Sequence, residues 1–239
     1  MRKTKIICTI GPASESFSML EQLAQAGMNI VRLNMSHGDH TSHAKVIKSI
    51  RTLNKKLPSP IAILMDTQGP EIRTGDIKQE LNLKKNDVIS IVARGEKDVE
   101  STSISVNYED LINDVTIGDM ITVDNGLINL EILSKEDRIM QCRVIDGGIL
   151  KSKRHVNLPG IRVNLPAITE KDKRDVLFSI AQEVDFIALS FVRNAEDVGQ
   201  LRELLGEKVD KIKIISKIED QEGVKNLSAI VDVSDGVMV

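Results

Sequence analysis

The hydrophobic positions between Lys5 and Asp66 follow two alternating patterns. Three short runs rich in consecutive apolar residues are typical of strands buried in a parallel sheet: "KIICTI", "MNIVRLNMS" and "IAILMDT". Between these runs, apolar residues recur every three to four positions, which predicts two helices. The order strand, helix, strand, helix, strand indicates a parallel sheet with helices packed outside it.

Capping residues give the limits of these two helices. Ser18-Met-Leu-Glu21 matches a capping box and Gly27 provides a stop, so the first helix is predicted between them. The second helix is predicted over residues 41–53, where apolar residues share one side. His40 and His43, near its start, are expected to be solvated.

The pattern changes after Pro70. From about Ile72 to Leu165 the helical periodicity is lost, and short alternating segments lie between turn signals. Asp124-Asn125-Gly126 separates two alternating runs and predicts a β-hairpin, while Gly147-Gly148 marks another turn. We therefore predict a small all-β insertion.

Strands and helices alternate again after the insertion. Thr169-Glu-Lys-Asp172 predicts a capped helix start. There follow "DFIALSFV", a helix over 195–205, "KIKIISKIE", a helix near 221–230 and "DGVMV". The β/α domain is therefore expected in two segments around the inserted one.

The composition limits the classes of partner. Lys plus Arg number 32 and Asp plus Glu 35, so a net charge of -3 gives no overall reason to bind nucleic acid or an acidic membrane surface. Cys8 and Cys142 lie in strand-like runs without metal or disulfide spacing, and we expect reduced core thiols. No run is long enough for a secretion signal or a membrane span, so a cytoplasmic protein is expected.

Polar residues stand where the parallel strands give way to loops. They are Arg32, Asn34 and Ser36 in the second strand, Asp66 and Thr67 in the third, and Lys217 and Glu219 in the fifth. Residues two apart in a strand share a face, and the strand ends of a β/α barrel converge on one mouth. Two cations and two carboxylates there require mutual pairing or a ligand, because a buried unpaired charge costs about 3 to 5 kcal/mol.

Each residue also has an ordinary structural interpretation. Asp66 alone could be a helix cap or a turn residue, and Arg32 could lie along apolar surface with its tip in water. Lys217 with Glu219 could be a structural ion pair. The run Lys151-Ser-Lys-Arg-His155 is either a solvated loop or an anion contact. For the strand ends, coincidence across three strands is the weaker hypothesis.

Nine short motifs are distributed over essentially the whole chain. In order, they are "TKIICTIGPAS", "AGMNIVRLNMSHG", "ILMDTQGPEIRTG", "VDNGLI", "VNLPG", "LPAITEKDK", "DFIALSFVR", "IISKIEDQEGV" and "SDGVMV". Their order and spacing give the chain a resemblance to pyruvate kinases. It implies an α/β fold: a partial TIM-type β/α barrel of about six strands, residues 1–70 and 167–239, with an inserted small all-β barrel domain, residues 71–166.

The resemblance implies glycolytic phosphoryl transfer between phosphoenolpyruvate and ADP, giving pyruvate and ATP. It implies that Arg32 and Lys217 are catalytic and bind phosphoenolpyruvate, and that Glu219 is a ligand of Mg²⁺ or Mn²⁺. Expected K⁺ ligands are Asn34, Ser36, Asp66 and Thr67. Expected nucleotide contacts are Asn34, Met35, Ser36, His37, Arg73 and Arg154. The complete family member is expected to be a homotetramer, without nucleic acid or membrane partners.

The chain departs from the family pattern at three places. Gln68 stands where Lys is usual, and His155 stands where Gly is usual, which bears on nucleotide binding. The chain stops at Val239, before the family's Ala-Arg-Gly-Asp motif with its second metal carboxylate. We therefore expect a truncated form with little activity alone. The alternatives are a non-catalytic fragment or assembly partner that needs a complementing chain, and another β/α barrel enzyme acting on a phosphorylated enol.

Overall fold

The chain folds into two compact units in a computed structural model that describes residues 3–93, 103–161 and 165–239. The first unit comprises the residues up to Pro70 together with Pro166–Val239, and the second is Glu71–Leu165. Each unit has its own hydrophobic core. Within the described part of the chain, no helix is both long and apolar enough to span a membrane.

The elements follow the chain in three stretches. The first stretch holds β1 (Ile7–Thr9), α1 (Phe17–Ala26), β2 (Ile30–Asn34), α2 (His40–Asn54) and β3 (Ala62–Asp66). The second unit holds β4 (Leu81–Leu83), β5 (Val88–Ala93), β6 (Ser103–Val106), α3 (Leu111–Asp114), β7 (Met120–Val123), β8 (Ile128–Glu136), β9 (Ile139–Asp146), β10 (Gly148–Leu150) and β11 (Val156–Asn157). The last stretch holds α4 (Glu170–Ala181), β12 (Phe186–Leu189), α5 (Ala195–Leu205), a 3₁₀ turn (Gly206–Lys208), β13 (Lys213–Lys217), α6 (Gln221–Lys225), α7 (Leu227–Val233) and β14 (Gly236–Met238).

The first unit is a six-stranded parallel sheet in the order β1-β2-β3-β12-β13-β14. All neighbours are parallel, so the carboxyl ends of the strands lie at one edge. Alternate residues such as Val31 and Leu33 are buried in one core with apolar residues of α1 and α2, which places Arg32 and Asn34 on the opposite face. The predicted partial TIM-type barrel of about six strands is confirmed.

The second unit has two sheets, a six-stranded mixed sheet and a two-stranded one. Its order is β11-β7-β8-β9-β5-β6, and β4 pairs with β10 in a separate two-stranded sheet. The predicted hairpin joins β7 to β8, and Asp124, Asn125 and Gly126 all have positive φ, as tight hairpin turns require. The inserted β domain is confirmed, with the four-residue helix α3 as its helical element among the described residues.

The predicted helix limits agree with the structure at α4 and α5 and differ from it at α1 and near residues 221–230. Thr169 caps α4 and forms the predicted capping box with Asp172. The predicted box at Ser18 is wrong, because the hydroxyl of Ser16 accepts from the Met19 amide and begins the helix two residues earlier. The helix predicted near 221–230 is two helices, since α6 ends before Asn226 and α7 begins after it.

The expectation that both histidines at the start of α2 are solvated is wrong for His43, while the side chain of His40 is 43% exposed but also has protein contacts. His40 stacks on Phe178 with ring centroids 4.3 Å apart, and its Nε2 lies 2.7 Å from Asp175 Oδ1. His43 is buried, with its Nε2 2.9 Å from the carbonyl oxygen of His37. Both residues therefore support packing around α2.

Candidate functional site

The carboxylate of Asp66 joins the two cations that the sequence placed at the strand ends. Asp66 is the last residue of β3 and is 1% exposed. Its Oδ2 accepts a hydrogen bond from Arg32 Nε at 2.7 Å and also contacts Arg32 Nη2. Its Oδ1 lies 3.1 Å from Lys217 Nζ. Since a single carboxylate spans both cationic groups, the two groups lie within reach of one small anion.

The sheet register explains why these residues meet. Asn34 of β2 is the partner of Asp66 in β3, and Ala188 of β12 pairs with Asp66 from the other side. Lys217 ends β13, which pairs with β12. The carboxyl ends of β2, β3, β12 and β13 therefore lie side by side, and parallel strands place side chains of equal phase on one face.

Two residues that the sequence analysis did not single out complete this cluster. Thr9 Oγ1 accepts from Arg32 Nη1 at 2.9 Å, and Ser190 Oγ accepts from Lys217 Nζ at 2.8 Å. Thr9 is the last residue of β1, and Ser190 directly follows β12. Both are polar residues at strand ends, so the same signal applied to every strand would have found them.

Glu219 lies two residues after Lys217, which is the last residue of β13, and its carboxylate contacts the Lys217 side chain. Its Oε1 is 3.1 Å from Lys217 Nζ, and its Oε2 accepts from the Phe191 amide at 3.0 Å. Its side chain is 31% exposed, so the carboxylate can reach a ligand. Within 3–93, 103–161 and 165–239, no cluster of three or more His, Cys, Asp or Glu residues could hold a metal. Mg²⁺ commonly takes one or two carboxylates plus waters and substrate phosphates, and Glu219 fits that donor set.

The oxygen donors expected for K⁺ lie at the ends of β2 and β3. Asn34 and Asp66 are register partners, and Thr67 follows Asp66 directly. Ser36 lies beyond the end of β2 in a turn, so it does not continue the strand alternation as predicted. The turn forms because Asn34 Oδ1 accepts from the Ser36 amide at 2.9 Å. Carboxylate, amide and hydroxyl oxygens are donors that suit a hard monovalent cation.

The turn after β2 contains the remaining expected nucleotide contacts of the first unit. Met35 is buried, so its side chain packs in the core and only its backbone can face a ligand. The Met35 carbonyl accepts from Lys171 Nζ at 2.6 Å, and its amide donates to Asp66 O. His37 is exposed at the next turn position, where its amide donates to Asn34 O at 3.2 Å.

Arg73 and Arg154 come together in the second unit. Arg73 forms a bridge with His155, and the Thr74 amide donates to Arg154 O at 2.8 Å. The guanidinium of Arg73 is held by Glu71 Oε2 at 2.7 Å and by Lys153 O at 3.0 Å.

The Arg154 guanidinium is held less firmly. Its Nη1 is 3.5 Å from Asp124 Oδ1, and its Nε is buried without a hydrogen-bond partner among the described residues. Lys151 and Lys153 of the same run form long, exposed ion pairs with Glu80 and Asp76, at 3.3 and 3.5 Å. The run therefore combines solvated lysines with a partly buried arginine.

Comparison with known proteins gives one consistent result. The family model "Pyruvate kinase, barrel domain" matches residues 1–239. The pyruvate kinase of Staphylococcus epidermidis (strain ATCC 35984) is 49% identical over 241 residues, which cover 100% of this chain and 41% of the relative. The pyruvate kinase of Staphylococcus aureus (strain USA300) is 49% identical over 242 residues with the same coverage. The chain thus spans 41% of the length of these relatives. It belongs to the pyruvate kinase family.

Proposed function

We propose that the protein transfers a phosphoryl group between phosphoenolpyruvate and ADP in the cytoplasm, giving pyruvate and ATP. The observation that carries the proposal is the placement of the Arg32 guanidinium and the Lys217 ammonium on the two oxygens of Asp66. Two fixed cations that share one small anion are suited to the phosphate of phosphoenolpyruvate. Cys8 and Cys142 are free thiols, which agrees with a reducing compartment.

Phosphoryl transfer requires positioning and positive charge against the phosphoryl oxygens more than covalent help from the protein. Arg32 is held from two neighbouring strands, by Thr9 and Asp66, and we assign it to binding the substrate phosphate. Lys217 is 13% exposed and has little freedom to move. We therefore assign its ammonium group to offsetting the negative charge of the phosphoryl group during transfer. Asp66 orients both cations as a hydrogen-bond acceptor.

The same strand ends offer ligands for the expected cations. Glu219 would hold Mg²⁺ or Mn²⁺, and the oxygens of Asn34, Ser36, Asp66 and Thr67 would hold K⁺. When bound, the divalent ion neutralises charge on the phosphate oxygens. For the nucleotide, we assign Asn34, Met35, Ser36, His37, Arg73 and Arg154. The Nε of Arg154 is buried and has no hydrogen-bond partner among the described residues. Because buried donors normally have a partner, this supports an anion contact at the Arg154 side chain.

Isothermal titration of the chain with phosphoenolpyruvate tests the substrate site. Arg32→Met is expected to weaken binding by about tenfold or more, because a charge-assisted hydrogen bond contributes roughly 1.5 to 3 kcal/mol. Lys217→Met is expected to weaken it less, since Lys217 is assigned to the transition state. Lys213→Met is the matched control, because Lys213 lies on the same strand but pairs with Asp235. Equal affinities in the wild type and Arg32→Met would contradict the proposal.

A coupled ATP assay with saturating Mg²⁺ and K⁺ tests the reaction. We expect the chain alone to turn over slowly, and turnover to rise when a polypeptide covering the remaining length of the relatives is added. Lys217→Met should then abolish phosphoryl transfer while Lys213→Met retains it. Substrate binding without turnover in either sample would favour the alternative of a non-catalytic assembly partner.

A further inference from the structure

Residues 190–192, immediately after β12, make three contacts with the end of β13. Ser190 Oγ accepts from Lys217 Nζ at 2.8 Å, the Phe191 amide donates to Glu219 Oε2 at 3.0 Å, and the Val192 amide donates to Lys217 O at 3.1 Å. We propose that this segment, the 190–192 turn, positions Lys217 and Glu219 for catalysis, with Ser190 as the positioning residue of the Lys217 ammonium. The inference rests on the proposed phosphoryl transfer.

The hydrogen bonds of Ser190 make its hydroxyl an acceptor toward Lys217. A serine hydroxyl has one proton and two acceptor lone pairs. The Ser190 proton is directed to Thr67 O, 2.6 Å away, while Asp66 Oδ1 is a poorer acceptor at 3.4 Å. The lone pairs therefore remain for the ammonium group. Since Ser190 is 1% exposed, water does not compete for this bond.

The three protons of the Lys217 ammonium have three acceptors around them. These are Asp66 Oδ1 and Glu219 Oε1, each at 3.1 Å, and Ser190 Oγ at 2.8 Å. The hydroxyl is the shortest contact and the uncharged one of the three. A lysine side chain has a flexible four-carbon stem, so the position of its charge depends on such acceptors. Ser190 thus fixes the ammonium without neutralising it.

The backbone of the turn is constrained. Phe191 has a φ of 54°, in the left-handed region that bulky residues rarely adopt. Such a conformation persists when the surrounding structure over-determines it, and it is frequent at functional sites. In this conformation the Phe191 amide points to Glu219, so the strain is coupled to the orientation of the expected metal ligand.

The exit of β3 supports the turn from the other side. The Ser190 amide donates to Thr67 Oγ1 at 3.0 Å. At Gly69, a Cβ atom would lie 2.8 Å from Ser190 Cβ and 2.9 Å from Phe191 Cδ2. Only glycine allows this close approach, and its amide is held by the buried Asp172 at 3.1 Å. The turn is therefore fixed against the same segment that carries Asp66 and Thr67.

The test combines a spectroscopic readout of Lys217 with substrate affinity. The chain is labelled with ¹⁵N-lysine, and the ammonium signal of Lys217 is assigned by its loss in Lys217→Met. Ser190→Ala is expected to shift or broaden this signal. It should also weaken phosphoenolpyruvate binding, by no more than Lys217→Met does, because Ser190 acts on the substrate through Lys217. Ser190→Thr keeps the hydroxyl and should restore the signal toward that of the wild type.

Ser179→Ala is the matched control. Ser179 is also 1% exposed, and its hydroxyl donates to Asp175 O within α4, away from the strand ends. This variant should leave the Lys217 signal and the affinity unchanged. If Ser190→Ala fails to fold, Phe191→Gly provides the test, because it keeps Ser190 but removes the backbone constraint, and the Lys217 signal should broaden.

The outcomes separate the two proposals. A folded Ser190→Ala chain with unchanged Lys217 signal and unchanged affinity overturns the positioning role, as does an equal change in Ser179→Ala. In the case of misfolding, an unchanged signal in Phe191→Gly overturns it. The remaining outcome is that the Lys217 signal changes in Ser190→Ala but the wild-type chain does not bind phosphoenolpyruvate. This result supports the positioning contact and refutes the proposed function.

Discussion

Arg32 and Arg154, one in each unit, are both assigned to phosphate groups but are held differently. Arg32 donates to a nearly inaccessible carboxylate at 2.7 Å and to Thr9 at 2.9 Å. Among the described residues, the Arg154 guanidinium lies 3.5 Å from Asp124, and its buried Nε has no hydrogen-bond partner. The first unit therefore presents a preorganised cation, while the second keeps hydrogen-bonding capacity for a ligand.

The largest expected difference between the units comes from removing the acidic partner of each arginine. Asp66→Asn leaves Arg32 and Lys217 close together without their shared charge, which should cost about 3 to 5 kcal/mol of unfolding free energy. Asp124→Asn should cost less than about 1 kcal/mol, because its pair with Arg154 is long and partly exposed. Native-state hydrogen exchange of strand amides measures both. Equal costs would show that Asp66 is not the centre of a preorganised site.

Glycines with positive φ provide the next comparison. Gly69→Ala combines a φ of 72° with a Cβ only 2.8 Å from Ser190, and overpacking adds about 1 to 3 kcal/mol to the backbone strain. Gly160 in the second unit has a φ of 79° but open space around it, so Gly160→Ala should cost only the strain of about 1 to 2 kcal/mol. Urea unfolding of both variants tests this order. A Gly69→Ala chain as stable as Gly160→Ala would contradict the tight support of the 190–192 turn.

Ligand specificity should divide between the two arginines. Arg154→Met is expected to weaken ADP binding by about tenfold and to leave phosphoenolpyruvate affinity unchanged. Arg32→Met is expected to weaken phosphoenolpyruvate binding by about tenfold and to leave ADP affinity unchanged. Calorimetric titration of each variant with each ligand gives the four affinities. If Arg154→Met lowered the affinities for ADP and for phosphoenolpyruvate equally, the proposed division of roles between the units would be wrong.

The smallest expected effects concern pH, and they fall at opposite ends of the scale. Burial raises the pKa of Cys142 to about 12 from 9.0, so the second unit should lose stability as the pH rises above 9, where only the unfolded thiol ionises. In the first unit, burial alone would raise the pKa of the Asp235 carboxyl. The hydrogen bond from the Ile214 amide and the nearby Lys213 ammonium outweigh burial, so this pKa is lowered below 3.8. Its contribution should be present above pH 3.8 and fall away below it.

Variants assign these two pH effects. Cys142→Ala should flatten the alkaline loss of stability of the second unit, and Asp235→Asn should reduce the acid loss of the first. Urea unfolding between pH 3 and 10.5, with strand signals of each unit as probes, measures both. An alkaline loss that persists unchanged in Cys142→Ala would assign it to other groups.

Much of the fold follows from periodicity and turn chemistry in the sequence. The helix over 195–205, the Thr169 cap and the hairpin at Asp124 were all predicted from local patterns, and the structure confirms them. The Ser16 cap was missed because Ser16 lacks the acidic residue three positions later that made Ser18 look like a capping box. Local patterns therefore succeed where the physical signal is complete within a few residues.

The candidate site was predictable to a similar degree. The meeting of Arg32, Asp66 and Lys217 follows from the rule that parallel strands end at one edge. The contact of Ser190 with Lys217 required knowing that β12 lies between β3 and β13. That order joins segments separated by the whole insertion, so no short window of sequence contains it.

The placement of the insertion also affects the order of folding. β3 and β12 are hydrogen-bonded neighbours, yet Glu71–Leu165 separates them in the chain. On the ribosome, the second unit is continuous and is complete before β12 has been synthesised, so it can fold while the first three strands still wait for their partners. Ordering that unit shortens the effective loop between β3 and β12, which lowers the entropy cost of closing the sheet.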